Sequence, residues 1–203
     1  IYFLSHNFNI HNVKEALQVN YTDFNTKKPL LILTIGGIRD FSSNIQVIDS
    51  LANKTNFLLR FVGKGIASFQ IEDYVNNKHI ENVKMEGYYE KKDEGHIIEK
   101  CSLLNIFYPK IISHSTALSN RFYNGLIYKK PMLVTKESMQ GDFVEKYNLG
   151  LALDNCDNLE FEINNFFNNN DFSDFYQSCN QLLLRFIDDY EIFKNKVIEF
   201  ISD

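Results

Sequence analysis

The sequence predicts an α/β domain in which a mostly parallel sheet carries helices on both faces. Short apolar runs that end in Gly or Pro alternate repeatedly with segments of helical periodicity. The connections between them are short, as in chains where helices cross over between neighbouring parallel strands. With 44% hydrophobic and 23% charged side chains, the 203 residues have the ordinary composition of a chain that buries a core. This three-layer arrangement is the Rossmann-like class.

The first half of the chain is expected to supply four strands. Residues 30–37 (LLILTIGG after Pro29) form a continuous apolar run stopped by two glycines, which is typical of a strand buried on both faces. Comparable runs predict further strands at 56–65, 82–87 and 102–109, with helices near 12–19, 44–52, 66–75 and 92–101.

The second half begins with an expected helix at 117–127, for which Ser115, Thr116 and Ser119 are available as N-caps. Strands follow at 131–135 and 149–154 with a small helix between them, and then two helices, the last long and amphipathic. The predicted division is a linker and domain start at 1–29, the domain at 30–170 and a C-terminal helix packed on it at 171–203.

Composition and charge exclude several classes of function. The net charge is −5 and Lys and Arg are scattered, so no basic face for nucleic acid is expected. The three Cys and five His show no metal-ligand spacing, and the odd, dispersed cysteines favour a cytoplasmic setting. No apolar run approaches the roughly 20 residues that span a bilayer. A start at Ile1 without Met or a signal peptide favours a fragment cut at a domain boundary.

Candidate ligand-binding residues follow the predicted strands, because open parallel sheets bind ligands beyond the carboxyl ends of their strands. Gly36 and Gly37 let a ligand approach the backbone, and Arg39 and Lys64 offer positive charge to a diphosphate. The helix start expected at 115–120 favours a phosphate. Each feature alone also fits a turn, a surface ion pair or a cap; their shared sheet edge favours a phosphorylated ligand.

Other catalytic signals are absent from the sequence. There is no Walker A loop, no G-x-G-x-x-G after the first strand and no nucleophile elbow, so the catalytic residues stay unassigned. The run EKKDE at residues 90–94 mixes charges and is interpreted as a solvated helix start.

The segment that begins at residue 119, SNRFYNGLIYKKPMLVTKESMQGDFVEKYNLGLAL, resembles the donor-binding region of GT-B glycosyltransferases of the group 1 type. Gly141, Val144 and Gly150 match the family's G-x-x-V-x-x-x-x-x-G. The stretches IGGIRDFSSN, FLLRFVGKG, NVKMEGYYEKKD and SLLNIFYP resemble the family's glycine-rich loop, second strand, base-facing loop and fourth strand. Together they cover about residues 30–154 in the family's order.

The resemblance implies the donor domain of a two-domain glycosyltransferase, of the kind found in capsular or surface polysaccharide assembly. Such a domain binds a nucleotide-diphosphate sugar without a metal, while an N-terminal domain outside this chain brings a glycan or lipid-linked acceptor. It would act in the cytoplasm, with membrane contact made through the other half, and the chain alone would turn over negligibly. The implied donor-binding residues are Gly36, Gly37, Arg39, Lys64, Glu86, Tyr88, Ser115, Thr116, Ser119, Asn120 and Asn124.

The chain departs from the family pattern at the glutamate positions and in the segment DFSSN, where the basic residue that often follows the arginine has no clear match. The family commonly has two glutamates eight positions apart, the second of which holds the ribose hydroxyls; here Thr116 and Asn124 stand there. An amide can bond to hydroxyls but carries no charge. Two alternatives therefore stay open: a degenerate, non-catalytic binding module, and a nucleotide-sugar epimerase, for which His114 is the candidate histidine.

Overall fold

A computed structural model describes residues 10–202 except residues 20 and 22. The described strands are β1 Leu30–Ile35, β2 Phe57–Val62, β3 Val83–Gly87, β4 Leu103–Ile106, β5 Met132–Thr135 and β6 Gly150–Leu153. The helices are α1 Ile10–Ala16, α2 Phe41–Leu51, α3 Ser68–Asn77, α4 Glu94–Glu99, α5 Ile112–Ser115, α6 Asn120–Ile127, α7 Met139–Tyr147, α8 Leu159–Asn169 and α9 Phe172–Ser202.

The strands form one parallel sheet in the order β3-β2-β1-β4-β5-β6, which confirms the predicted α/β class. Its longest ladder joins β1 to β2, from the pair Leu30–Phe57 to the pair Ile35–Val62. The strand order reverses between β1 and β4. Because the loops after these two strands leave in opposite directions, a crevice opens between them at the carboxyl edge of the sheet.

The core lies on both faces of the sheet. Strands β4 and β5 are buried at every position, and their residues are apolar except for Asn105 and Thr135. Helix α2 contacts α3 and α8 in one layer, and α9 contacts α1, α6 and α7 in the other. The edge strand β3 alternates between half-buried and exposed positions.

Helix α9 has 31 residues and packs on the domain through its first half. Apolar side chains spaced three or four apart are buried there, namely Phe175, Cys179, Leu182, Leu183 and Phe186. Beyond Phe186 the helix is mostly exposed. Across the part of the chain that the structure describes, none of the helices is both long and apolar enough to cross a membrane.

The helix predicted from residue 117 begins three residues later, and of the three candidate N-caps Ser119 is the one that caps it. Helix α6 begins at Asn120 because the Ser119 hydroxyl oxygen accepts a hydrogen bond from the Phe122 N–H at 3.3 Å. The preceding residues form the unpredicted short helix α5, whose end is closed by the Thr116 hydroxyl bonding to the Ile112 carbonyl at 2.8 Å. Ser115 and Thr116 therefore end one helix and do not open the next.

Candidate functional site

A cleft of about 370 Å³ lies at the carboxyl edge of the sheet, beside β1 and β4. The loop after β1 forms one wall, and the segment after β4 with the start of α6 forms another. The segment that leads into α4 closes a third side. This is the crevice that the reversal of strand order creates.

The loop after β1 approaches the loop after β2 closely. Gly36 has φ +93° and Gly63 has φ +128°, a region that side chains disfavour, and a Cβ on Gly63 would overlap the Gly36 carbonyl. The Gly36 N–H donates to the Val62 carbonyl at 2.8 Å. Glycine is thus required at both positions by the backbone itself. Gly37 differs, because a Cβ there would meet only the Arg39 side chain, 3.2 Å from Nε.

Arg121 holds the loop that contains Gly36 and Gly37, here called the glycine loop, through hydrogen bonds to backbone carbonyls. Its guanidinium donates to the carbonyl of Ile35, to that of Gly37 at 2.9 Å and to that of Asn105 at 3.4 Å. The same group lies 5.6 Å from the ring centroid of Tyr108. The side chain is buried and bonds backbone oxygens, so its role in the cleft is to position the loop.

Glu94 is held in the cleft by three donors. Its Oε2 accepts from the Tyr89 hydroxyl at 2.6 Å, and its Oε1 accepts from Lys91 Nζ at 2.7 Å and Asn124 Nδ2 at 2.9 Å. Burial alone would raise the pKa of Glu94, but these donors lower the pKa below its ordinary value. Burial and the bond to Glu94 raise the pKa of Tyr89. The cleft therefore contains an ionised carboxylate beside a neutral phenol.

The interpretation of residues 90–94 as a solvated run is wrong for Glu94, which is 9% exposed. Helix α4 approaches the end of α6 at Gly95, where a Cβ would lie 2.5 Å from the Tyr128 hydroxyl oxygen. The missing side chain leaves room for the Tyr128 ring, and Glu94 lies beside Asn124 at this junction. No periodicity in the sequence signals this contact.

Solved glycosyltransferases share this fold. TarM of S. aureus, with fondaparinux, α-GlcNAc-glycerol and UDP, is 16% identical at a TM-score of 0.65, over 88% of this chain and 37% of that one. The pneumococcal O-GlcNAc transferase GtfA with UDP and GlcNAc is 15% identical at 0.64, over 90% and 38%. Anabaena HepE with UDP and glucose is 16% identical at 0.64, over 100% and 54%. No protein-family model and no curated protein sequence matches.

The chain has the fold of the C-terminal domain of GT-B glycosyltransferases. The resemblance stated from the sequence is confirmed for the fold. The GT-B-type domain spans about 37% of TarM, 38% of GtfA and 54% of HepE, so it corresponds to part of each of those proteins.

Most of the site residues predicted from the sequence meet in the cleft of this GT-B-type domain. The main cleft is lined by Gly36, Gly37, Arg39, Ser119, Asn120 and Asn124. Lys64 and Tyr88 line an adjoining cleft of about 320 Å³, which shares Gly36, Tyr89 and Lys91 with the first. The sequence missed Tyr89, Lys91, Glu94 and Arg121, all of which line the main cleft.

Three predicted residues lie elsewhere. Glu86 lines neither cleft and forms a two-pronged ion pair with Arg60, with both N–O distances at 2.5 Å, which lowers the pKa of Glu86. Ser115 and Thr116 line a separate surface pocket of about 420 Å³ against α7 and α9. His114 does line the main cleft, stacked 4.9 Å from the ring centroid of Tyr108.

The described residues contain no group of three or more His, Cys, Asp or Glu side chains that could hold a metal ion. The described cysteines are Cys101, Cys156 and Cys179, which are unpaired and buried. Burial raises the pKa of each thiol to about 12. They therefore serve as apolar core residues.

Proposed function

We propose that this chain is the donor-binding domain of a glycosyltransferase and binds a nucleotide-diphosphate sugar in the main cleft. One observation carries the proposal: the glycine loop after β1, Arg39 and the start of α6 converge on one cleft where the strand order reverses. Backbone that a ligand can approach, a guanidinium and the positive end of a helix are three features that favour a diphosphate.

The ligands of proteins with a similar fold support this class of ligand. TarM, GtfA and HepE were each solved with UDP, and HepE also with glucose. In the present domain we place the diphosphate against Gly36, Gly37 and the first turn of α6. The adjoining cleft beside Lys64 and Tyr88 then takes the base.

The chemistry proposed for the whole enzyme is transfer of the sugar to a glycan or lipid-linked acceptor, which a separate N-terminal domain would bring. Departure of the diphosphate needs stabilisation of negative charge. We assign that role to Arg39, with Lys91 and Lys64 as further cations at the two clefts and without a metal ion. Closure of the two domains would exclude water, so the isolated chain is expected to transfer sugar negligibly.

The reaction is proposed to take place in the cytoplasm, where nucleotide sugars and reduced cysteines coexist, with any membrane contact made through the other domain.

The two alternatives have less support. An epimerase would need catalytic carboxylates and a histidine in the cleft, and His114 shares the main cleft with Asp40 and Glu94. Asp40 is already engaged as the cap of α2, where it accepts a hydrogen bond from the Ser43 N–H at 2.7 Å. Glu94 is engaged by three donors and does not bond to His114. A degenerate module was favoured by the neutral Thr116 and Asn124. The carboxylate of Glu94 beside Asn124 weakens that argument, because the cleft does contain a charged acceptor.

Isothermal titration with UDP, GDP, ADP and dTDP tests the proposal. We expect saturable binding of at least one of them and a loss of about tenfold or more in affinity on Arg39→Ala, because an arginine–phosphate contact is removed. Arg185→Ala is the matched control, since Arg185 lies on α9 outside both clefts, and should leave the affinity unchanged. If a folded chain binds none of the four at millimolar concentration, the proposal is wrong.

A further inference from the structure

Glu94 is a carboxylate that the structure keeps ionised inside the cleft. A carboxylate offers about four acceptor positions, and here three donors from Tyr89, Lys91 and Asn124 approach it. Two of these donors are fixed by their surroundings, because Tyr89 is half-buried and Asn124 lies on α6. The third is on an exposed side chain, since that of Lys91 is 81% exposed.

In this arrangement Glu94 can exchange its hydrogen bond from Lys91 for one from a ligand. The long Lys91 side chain can leave Glu94 Oε1 and turn its ammonium toward a phosphate in the same cleft. A hydroxyl group of a ligand can then take the acceptor position. The Asn124 amide beside it offers a second polar group to the same hydroxyls. A carboxylate next to an amide is well suited to two neighbouring hydroxyl groups, since hydrogen bonds to an ionised acceptor are the strong ones.

The position of Glu94 in the cleft indicates which hydroxyl groups of the ligand it would contact. Phosphates placed at Gly36, Gly37 and α6 leave the ribose as the next group of the nucleotide. In dinucleotide-binding α/β folds, an acidic residue near the glycine turn binds the ribose 2′-hydroxyl for the same geometric reason. Glu94 begins α4 and Asn124 lies in α6, so the carboxylate and the amide come from different segments of the chain.

Resting on the proposed function, we infer that Glu94 recognises the vicinal diol of ribose and makes the domain selective for ribonucleoside diphosphate sugars over 2′-deoxyribonucleoside ones. Sugars carried on dTDP are then poor donors. The transferred sugar also carries vicinal hydroxyls. The test therefore uses nucleoside diphosphates without a transferred sugar, so that ribose is the source of any diol that is bound.

The experiment measures the dissociation constants of three matched pairs by titration calorimetry: UDP and 2′-deoxy-UDP, GDP and 2′-deoxy-GDP, ADP and 2′-deoxy-ADP. We expect the unmodified chain to bind the ribonucleotide of the preferred pair about tenfold or more tightly, as loss of a charge-assisted hydrogen bond predicts. In Glu94→Gln the ratio should fall to about two or less, while the affinity for the deoxynucleotide is retained.

Glu90→Gln is the control, because Glu90 pairs with Lys92 and its side chain is 61% exposed. The Glu90→Gln variant should keep the full ratio between the dissociation constants of the deoxynucleotide and the ribonucleotide. Glu94→Asp keeps the charge on a shorter stem and should keep part of it. Circular dichroism checks that each variant is folded, and the ratio of the unmodified chain needs no variant at all.

The outcomes separate the two proposals. Equal binding of both members of the preferred pair, or a ratio that survives in folded Glu94→Gln, overturns the role of Glu94 and leaves the donor-binding proposal intact. Failure of every nucleotide to bind overturns the donor-binding proposal itself.

Discussion

The Nη2 of Arg121, in the first turn of α6, donates a hydrogen bond to the carbonyl oxygen of Gly37 at 2.9 Å. The same guanidinium also bonds the carbonyls of Ile35 and Asn105. Helix α6 therefore acts on the cleft twice: its start forms one wall, and Arg121 anchors the glycine loop that forms another. A helix from the other half of the sheet thus holds the backbone of that loop through hydrogen bonds.

Arg121→Met is expected to lower the free energy of unfolding by about 3 kcal/mol, because it leaves buried carbonyls without donors at about 1–3 kcal/mol each. Urea unfolding measures the loss, and nucleotide affinity should fall with it. Arg121→Lys, which can reach one or two of the carbonyls, should lie between. Arg185→Met on the exposed side of α9 is the control. A loss below about 0.5 kcal/mol in Arg121→Met would show that the carbonyls find other partners.

Gly63→Ala and Gly37→Ala should separate stability from binding. Gly63 combines a positive φ with backbone contact to Gly36, so the alanine is expected to cost about 2 kcal/mol or more in stability. At Gly37 the added methyl group meets only Arg39, so the variant should unfold normally and bind the nucleotide more weakly. Thermal unfolding and titration of both variants decide the matter; equal losses of stability would contradict the distinction.

The fold was predictable because buried parallel strands leave a local signal. The runs that became β1, β4 and β5 are mostly apolar, and glycines or a proline follow the first two of them. The part of the site that follows strands was predictable for the same reason: Gly36, Gly37 and Arg39 sit directly after β1, where the topology requires a cleft.

The remainder of the site depends on contacts that the sequence does not display. Arg121 bonds carbonyls 84 and 86 residues away, and an arginine in a helix ordinarily faces solvent. Glu94 meets Asn124 across 30 residues, where the start of α4 approaches α6. A charged side chain is buried only where partners converge on it, and those partners come from separate elements.

Asn180 on α9 has a buried side-chain oxygen, Oδ1, for which the described residues provide no hydrogen-bond donor. Asn180→Leu is expected to raise the free energy of unfolding by about 1 kcal/mol, because it removes an unsatisfied polar atom and adds apolar volume. Denaturant midpoints measure the gain. Asn195→Leu, an exposed position on the same helix, should change little. A destabilised Asn180→Leu would contradict the expectation that this oxygen costs stability.

Lys129, which follows α6, couples stability to pH. It is 3% exposed, its ammonium donates to the Leu126 carbonyl at 2.9 Å, and burial lowers its pKa to about 8. In the unfolded chain a lysine has a pKa near 10.4. Below pH 8 both states carry the charge and the folded state bears its full desolvation cost. Between the two values the unfolded state holds the extra proton, so this group makes stability rise with pH.

Lys129→Met should therefore be more stable than the unmodified chain at pH 7, and its advantage should shrink by roughly 2 kcal/mol between pH 7.5 and 9.5. The buried cysteines act in the opposite sense in this range, because their thiols ionise only after unfolding; they are present in both chains and cancel from the difference. Urea unfolding of both chains at five pH values measures the difference in their free energy of unfolding. Lys54→Met, whose ammonium pairs with Glu160 at the surface, should show no such pH-dependent difference. A constant gap between Lys129→Met and the unmodified chain would mean that Lys129 stays charged and hydrated in the folded domain.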